Sequence, residues 1–173
     1  MRKGHAVDLK TLRTTDQRWE IAVLSGPNTT RQFQPADEFE RELQTWGDNL
    51  GIAVRHFQSN HEGKLLEYVH ANAGQVNGFL VNPGGLVRVG ESLRHVLKDA
   101  KKPAIELHLS QEEVRGESIF APSVTGIFAG PGRHAVLGAL VALSLALDDL
   151  DFLNPEGTSE INRSHGNPRS LYG

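Results

Sequence analysis

The sequence predicts an α/β protein with a five-stranded parallel sheet covered by helices on both faces, and three observations predict it. Short apolar runs alternate with longer stretches of helical period along most of the 173-residue chain, which is the pattern of repeated βαβ units. The runs are mostly apolar throughout rather than alternating with polar residues, as strands covered on both faces must be. Most of them end in clusters of Gly, Pro, Asn and Ser, which supply the backbone freedom and local hydrogen bonds that turns need.

Taken in order, the first strand is expected at 21–24 (IAVL), running into SGPN, and the second at 52–57 (IAVRHF), running into SNHEG. The third, 78–81 (GFLV), runs into NPGG; the fourth, 103–107 (PAIEL), opens on Pro103, where a missing N–H costs little; the fifth, 124–129 (VTGIFA), ends in GPG. Helical periodicity places helices at 36–50, 61–73, 89–100 and 134–150. Asn60 is the expected N-cap of the second, with Gly63 in its first turn. The last is apolar on most of its surface until Asp148, so it is expected to be well buried. Residues 20–150 therefore read as one domain, flanked by a polar arm at 1–19 and a tail at 151–173 rich in Gly, Pro, Ser and Asn. If ordered, these ends are expected to lie across a neighbouring subunit.

Composition narrows the function. With 38% hydrophobic and 23% charged residues the chain can bury a core of its own. It has no cysteine, which removes disulfides, thiolate nucleophiles and iron–sulfur clusters and suits a cytoplasmic setting. A net charge of -3 without a Lys/Arg run speaks against nucleic acid or an anionic membrane as partner. The N-terminus lacks the apolar segment of a signal peptide, and the longest apolar stretch, 135–147, is too short to span a bilayer. The eight histidines show no metal-ligand spacing, neither usual Gly-rich nucleotide fingerprint occurs, and no metal or cofactor is expected.

In open parallel sheets ligands bind beyond the carboxyl ends of the strands, where the strand order reverses. For a flavodoxin-like order 2-1-3-4-5 the loops carrying Asn28, Asn82 and His108 would converge on one crevice. Glu106 and His108, two apart on a strand, leave the same face, and a carboxylate beside an imidazole fixes its tautomer for acid–base work. An isolated E-x-H pair is more often a structural contact, and a Gly-rich turn such as Asn82-Pro83-Gly84-Gly85 is more often only a turn.

The four post-strand motifs together resemble the type II dehydroquinases, the 3-dehydroquinate dehydratases of flavodoxin-like fold. Ser25-Gly26-Pro27-Asn28 is similar to the family's N-G-P-N, and Phe57-Gln58-Ser59-Asn60-His61-Glu62-Gly63 to its F-Q-S-N-H-E-G. Asn82-Pro83-Gly84-Gly85 resembles N-P-G-[AG], and Glu106-Leu107-His108-Leu109-Ser110 resembles E-V-H-[LI]-S. The resemblance implies anti elimination of water from 3-dehydroquinate, or a related cyclic hydroxy-ketone or hydroxy-acid, through an enolate, in a homo-oligomer built from trimers and commonly a dodecamer. It implies Asn28 as holder of an enolate-stabilising water, His108 as the acid oriented by Glu106, and Asn82, Gly84 and Gly85 at the substrate. The backbone N–H groups of Leu109 and Ser110 would hold its carboxylate.

The departures are concentrated at the base. In the family a mobile lid carrying a catalytic tyrosine and an arginine follows N-G-P-N; here residues 29–35 (TTRQFQP) lead directly into the first helix, with Arg31 as a possible stand-in for the lid arginine. Of the two tyrosines, Tyr68 falls within the second helix and Tyr172 near the C-terminus. Arg88 stands where the family has a substrate-binding histidine, which adds fixed positive charge and suits a more acidic or larger ligand, and Glu113-Val114-Arg115 keeps one of two later arginines. Losing a general base forfeits a factor of about 100 to 10,000 in rate. Two functions stay open at this point, a dehydroquinase-like lyase and a catalytically impaired homologue that binds a small molecule or serves a regulatory or structural role.

Overall fold

The computed structural model describes residues 8–114 and 116–155. Five strands, β1 (Glu20–Ser25), β2 (Ala53–Gln58), β3 (Gly78–Asn82), β4 (Ala104–His108) and β5 (Gly126–Ala129), pair in parallel in the order β2-β1-β3-β4-β5. The helices are α1 (Ala36–Leu50), α2 (Glu62–Asn72), α3 (Glu91–Asp99), α4 (His134–Asp148) and a single turn, α5 (Leu150–Leu153). This is the expected three-layer, flavodoxin-like α/β architecture, and its strand order reverses between β1 and β3.

Alternation along the strands divides the core in two. Ile21 and Val23 of β1, Leu80 of β3 and Leu107 of β4 face α1 and α4, packing on Phe39, Leu43, Val136, Leu140 and Leu143. Ala22 and Leu24, with Phe79 and Val81, face α2 and α3 and pack on Leu65, Val69, Leu93 and Leu97. Helix α1 has its expected bounds because Phe39, Leu43, Gly47 and Leu50 form one buried stripe and Gly51, at φ 71°, turns the chain out of the helix. Helix α4 buries Ala135, Val136, Ala139, Leu140, Leu143 and Leu147, as its composition predicts. Among the described residues no helix is long and apolar enough to cross a membrane.

Several local expectations are corrected. Asn60 does not cap α2; His61 holds that position without a side-chain bond, while the Asn60 carboxamide oxygen accepts from the Asn28 N–H and from Gln58 Nε2, both at 3.3 Å. The β1–β2 loop contact outcompetes the local cap. Helix α3 starts at Glu91 rather than at residue 89, because the chain first winds through a 3-10 turn at Gly84–Leu86 and closes on Gly90. Pro103 lies just before β4 and contributes only its carbonyl, which accepts from Phe79 N–H at 3.0 Å. Strand β5 begins at Gly126 rather than Val124.

Residues 8–19 lie against the chain's own domain. The Arg13 guanidinium reaches Asp148 at the end of α4, 2.7 Å from Oδ1, with 3% and 1% of the two side chains exposed. Thr15 Oγ1 and Trp19 Nε1 donate to the same oxygen at 2.8 and 2.7 Å, and Arg13 Nε and the Thr14 N–H donate to Oδ2. Burial alone would push the Asp148 carboxyl up. The hydrogen bonds from Arg13, Trp19 and Thr15 and the Arg13 charge outweigh it and hold the group well below the ordinary carboxylate range.

Candidate functional site

The site begins with two loops that interlock at the reversal in strand order. Gly26 N–H donates to the Asn82 carbonyl at 2.8 Å, and Gly85 N–H donates to the Pro27 carbonyl at 2.9 Å. Both loops need glycine to come this close. A side-chain carbon at Gly26 would fall 2.4 Å from the Pro83 oxygen, and one at Gly84, which sits at φ 54°, would fall 2.1 Å from the Pro27 oxygen. The N–H of Gly84 donates to Asn82 Oδ1 at 3.2 Å. The amide hydrogens of Gly84 and Gly85 are thus engaged within the chain, and these glycines serve the approach of the two loops.

On this interlock sits Asn28, exposed and at φ 67°, a left-handed conformation that asparagine tolerates better than most residues. Its carboxamide lies over the bare Cα of Gly85, where a side-chain carbon would come within 3.0 Å of Nδ2. Asn82, at the end of β3, is fully buried, and its Nδ2 donates to Gln32 Oε1 at 2.9 Å.

The neighbouring strand supplies the ionisable groups. Glu106 and His108 are buried to 0% and 1% exposure, and His108 Nε2 lies 2.7 Å from Glu106 Oε1. The expected pairing on one face of β4 is therefore made. Glu106 Oε2 has no hydrogen-bond partner although it is buried, and a buried carboxylate oxygen left so costs about 1–3 kcal/mol. His108 Nδ1 faces the other way, 3.7 Å from Glu113 Oε2. Glu113, in the 3-10 turn Gln111–Val114, accepts from the Leu109 N–H at 3.3 Å through Oε2 and from Gln32 Nε2 at 2.8 Å through Oε1. A continuous chain of contacts thus links Asn82 through Gln32 and Glu113 to Leu109 and His108.

The remaining expected residues are placed as follows. Ser110 is half-buried beside the Gly130 turn, whose missing side chain would come 3.8 Å from the Ser110 Cα. Arg88 is exposed, with its guanidinium packed over Gly116, where a side-chain carbon would fall 2.8 Å from it. Arg31 is exposed on the 3-10 turn Thr30–Phe33. Arg115 and Tyr172 lie outside the described residues. Tyr68 stacks on Phe57 with ring centroids 4.4 Å apart; burial raises its phenol, against a smaller opposing effect of Arg55, so it stays protonated in a packing role.

Two features escape sequence reading. No motif links Gln32 to Glu113, and only the fold brings residues 81 positions apart together. The second is a relay in which Ser25 Oγ lies 2.9 Å from His56 Nε2 and His56 Nδ1 lies 2.6 Å from Glu40 Oε1. It has the order of an acyl-transfer triad, but Ser25 is 0% exposed, so the relay fastens β1 to β2 and α1 and presents no accessible nucleophile.

A family model described as dehydroquinase class II matches residues 19–144. The 3-dehydroquinate dehydratase of Halothermothrix orenii is 32% identical, the match covering 71% of this chain and 92% of that protein. The enzyme of that name from Roseiflexus castenholzii is 35% identical, over 70% of this chain and 85% of its own length. Among solved structures, the type II dehydroquinase from Propionibacterium acnes aligns with a TM-score of 0.65 at 28% identity, covering 72% of this chain and 97% of that one.

Proposed function

The chain belongs to the class II dehydroquinase family, and on that footing we propose that it is a lyase that eliminates water from 3-dehydroquinate or a related cyclic hydroxy-ketone. The observation that carries this reading is the fully buried Glu106–His108 pair at 2.7 Å, at the carboxyl end of β4 beside the reversal in strand order. Such an elimination moves a proton from the carbon beside the ketone to a general base, the role the family gives to the lid tyrosine that residues 29–35 of this chain lack, passes through an enolate, and expels the hydroxyl on the next carbon as water. His108 supplies the proton to the departing hydroxyl, and Glu106 holds the imidazole in register.

Asn28 lies at the open edge of the same crevice and would hold the water that stabilises the enolate oxygen. Asn82 and the Leu109 and Ser110 backbone would contact the substrate's hydroxyl and carboxylate groups, with Arg88, Arg31 and, from the family resemblance alone, Arg115 as candidate cations for its acidic groups. Gly84 and Gly85 act by letting the loops of Asn28 and Asn82 meet. The reading carries a catalytic unit of residues 20–150, a cytoplasmic setting and an assembly of trimers, for which light scattering gives the mass directly.

The test is incubation of the full chain with 3-dehydroquinate while following the ultraviolet absorbance of the conjugated enone product. The wild-type protein is expected to generate it and His108→Ala to lose that signal. Equal signals from the two proteins would remove His108 from the mechanism, and none from the wild type would remove the lyase assignment.

A further inference from the structure

Among the polar groups gathered around His108, Glu113 is one that keeps part of its side chain in solvent. Asn82 and His108 are buried to 0% and 1% exposure, whereas the Glu113 side chain, bound to the same cluster, is 32% exposed. Glu113 therefore lies on the solvent side of the groups that a ligand would have to reach. Its carboxylate takes the Leu109 N–H at 3.3 Å and stands 3.7 Å from His108 Nδ1, while Gln32 bridges it to Asn82 through bonds of 2.8 and 2.9 Å. One side-chain N–H of Asn82 is thus given to Gln32, and the backbone N–H of Leu109 to Glu113.

We propose that Glu113 is the specificity-setting residue of this crevice: it is an internal carboxylate seated where a ligand's carboxylate would sit, so a carboxylate-bearing ligand binds only by displacing it. The inference rests on the reading of this crevice as the ligand site. The seat suits an anion because the Leu109 N–H and the Gln32 carboxamide N–H converge on it, and it is occupied by an anion of the chain itself. Two carboxylates cannot share these donors, since like charges at this separation repel strongly in a partly dehydrated site. Gln32 sets how firmly the internal group is held, because it ties Glu113 to a buried amide across the mouth of the site. The site so built discriminates by charge, holding acids less tightly than its donors alone would allow and leaving the affinity of neutral polyols little affected.

Calorimetric titration tests this with quinate, which has the ring hydroxyls and the carboxylate but no ketone to react, and with its neutral carboxamide. Glu113→Gln is nearly isosteric and removes the competing charge. It is expected to tighten quinate binding by about tenfold or more, the difference a charge-assisted hydrogen bond commands, and to leave the carboxamide within about twofold of wild type. Gln32→Ala frees the carboxylate without altering any charge and is expected to tighten quinate by a few-fold, which keeps the proposal testable should the first variant fail to fold. Unchanged or weakened quinate binding in the variants, an equal gain for the carboxamide, or no quinate binding by any of the proteins overturns the proposal. Turnover of 3-dehydroquinate by the wild-type chain judges the catalytic reading separately: quinate binding that responds to Glu113→Gln without turnover upholds the internal competitor and removes the lyase, and turnover without that response does the reverse.

Discussion

Two buried acids in this molecule have the same kind of partner and opposite surroundings. Asp148 meets Arg13 at 2.7 Å, and Glu106 meets His108 at 2.7 Å, each pair almost wholly removed from solvent. Around Asp148 both carboxylate oxygens are taken by donors from Arg13, Thr14, Thr15 and Trp19. Glu106 keeps one oxygen without a partner. A fold that needs a buried charge only to join two segments satisfies it completely, because an unpaired buried oxygen is a cost with no structural return. A site that must exchange protons or meet a ligand tolerates the deficit.

That contrast can be broken from either side. The largest expected effect is on chemistry: His108→Ala lowers turnover of 3-dehydroquinate by a factor of about 100 to 10,000, measured by enone absorbance, with the fold intact by circular dichroism. Next is stability. Asp148→Ala leaves Arg13 buried and unpaired and is expected to cost about 3–5 kcal/mol in urea unfolding, while the folded fraction keeps its turnover rate. If Asp148→Ala instead abolished turnover in fully folded protein, the division of roles between the two acids would fail.

A finer effect lies in the acid limb of stability. The Asp148 carboxyl is held below its ordinary value of 3.8 in the native state, so its contribution is complete above that pH. Below it the unfolded chain takes up a proton that the native chain refuses, and the contribution shrinks as the pH falls further. Asp148→Asn is therefore expected to flatten the loss of stability below pH 3.8, measured as urea midpoints across that range. The smallest effect is expected from Glu106→Gln, which keeps a hydrogen bond to His108 and removes an incompletely paired charge; its unfolding free energy should stay within about 1 kcal/mol of wild type. A loss as large as that of Asp148→Ala would mean that Glu106 serves the fold in the same way.

Much of this arrangement is legible in the chain itself. The parallel sheet and the bounds of α1 follow from apolar runs, helical spacing and a terminal glycine, all set by neighbours within a few residues, while the strand order is the one the family resemblance implied. The Glu106–His108 contact is legible for the same reason, since alternate residues of a strand share a face. Asn60 shows where local reasoning stops. As a cap for α2 it competes with a loop contact to Asn28, 32 residues away, and the tertiary partner prevails.

The sequence by itself determined the fold class, the family and the pairing of an acid with an imidazole, because each depends on periodicity or on motifs held within a short stretch. Only the tertiary structure decided that Arg13 closes on Asp148 across 135 residues and that Gln32 and Glu113 bridge Asn82 to Leu109. These contacts join side chains that carry no pattern of their own. Their geometry exists only once the sheet has brought distant strand ends together.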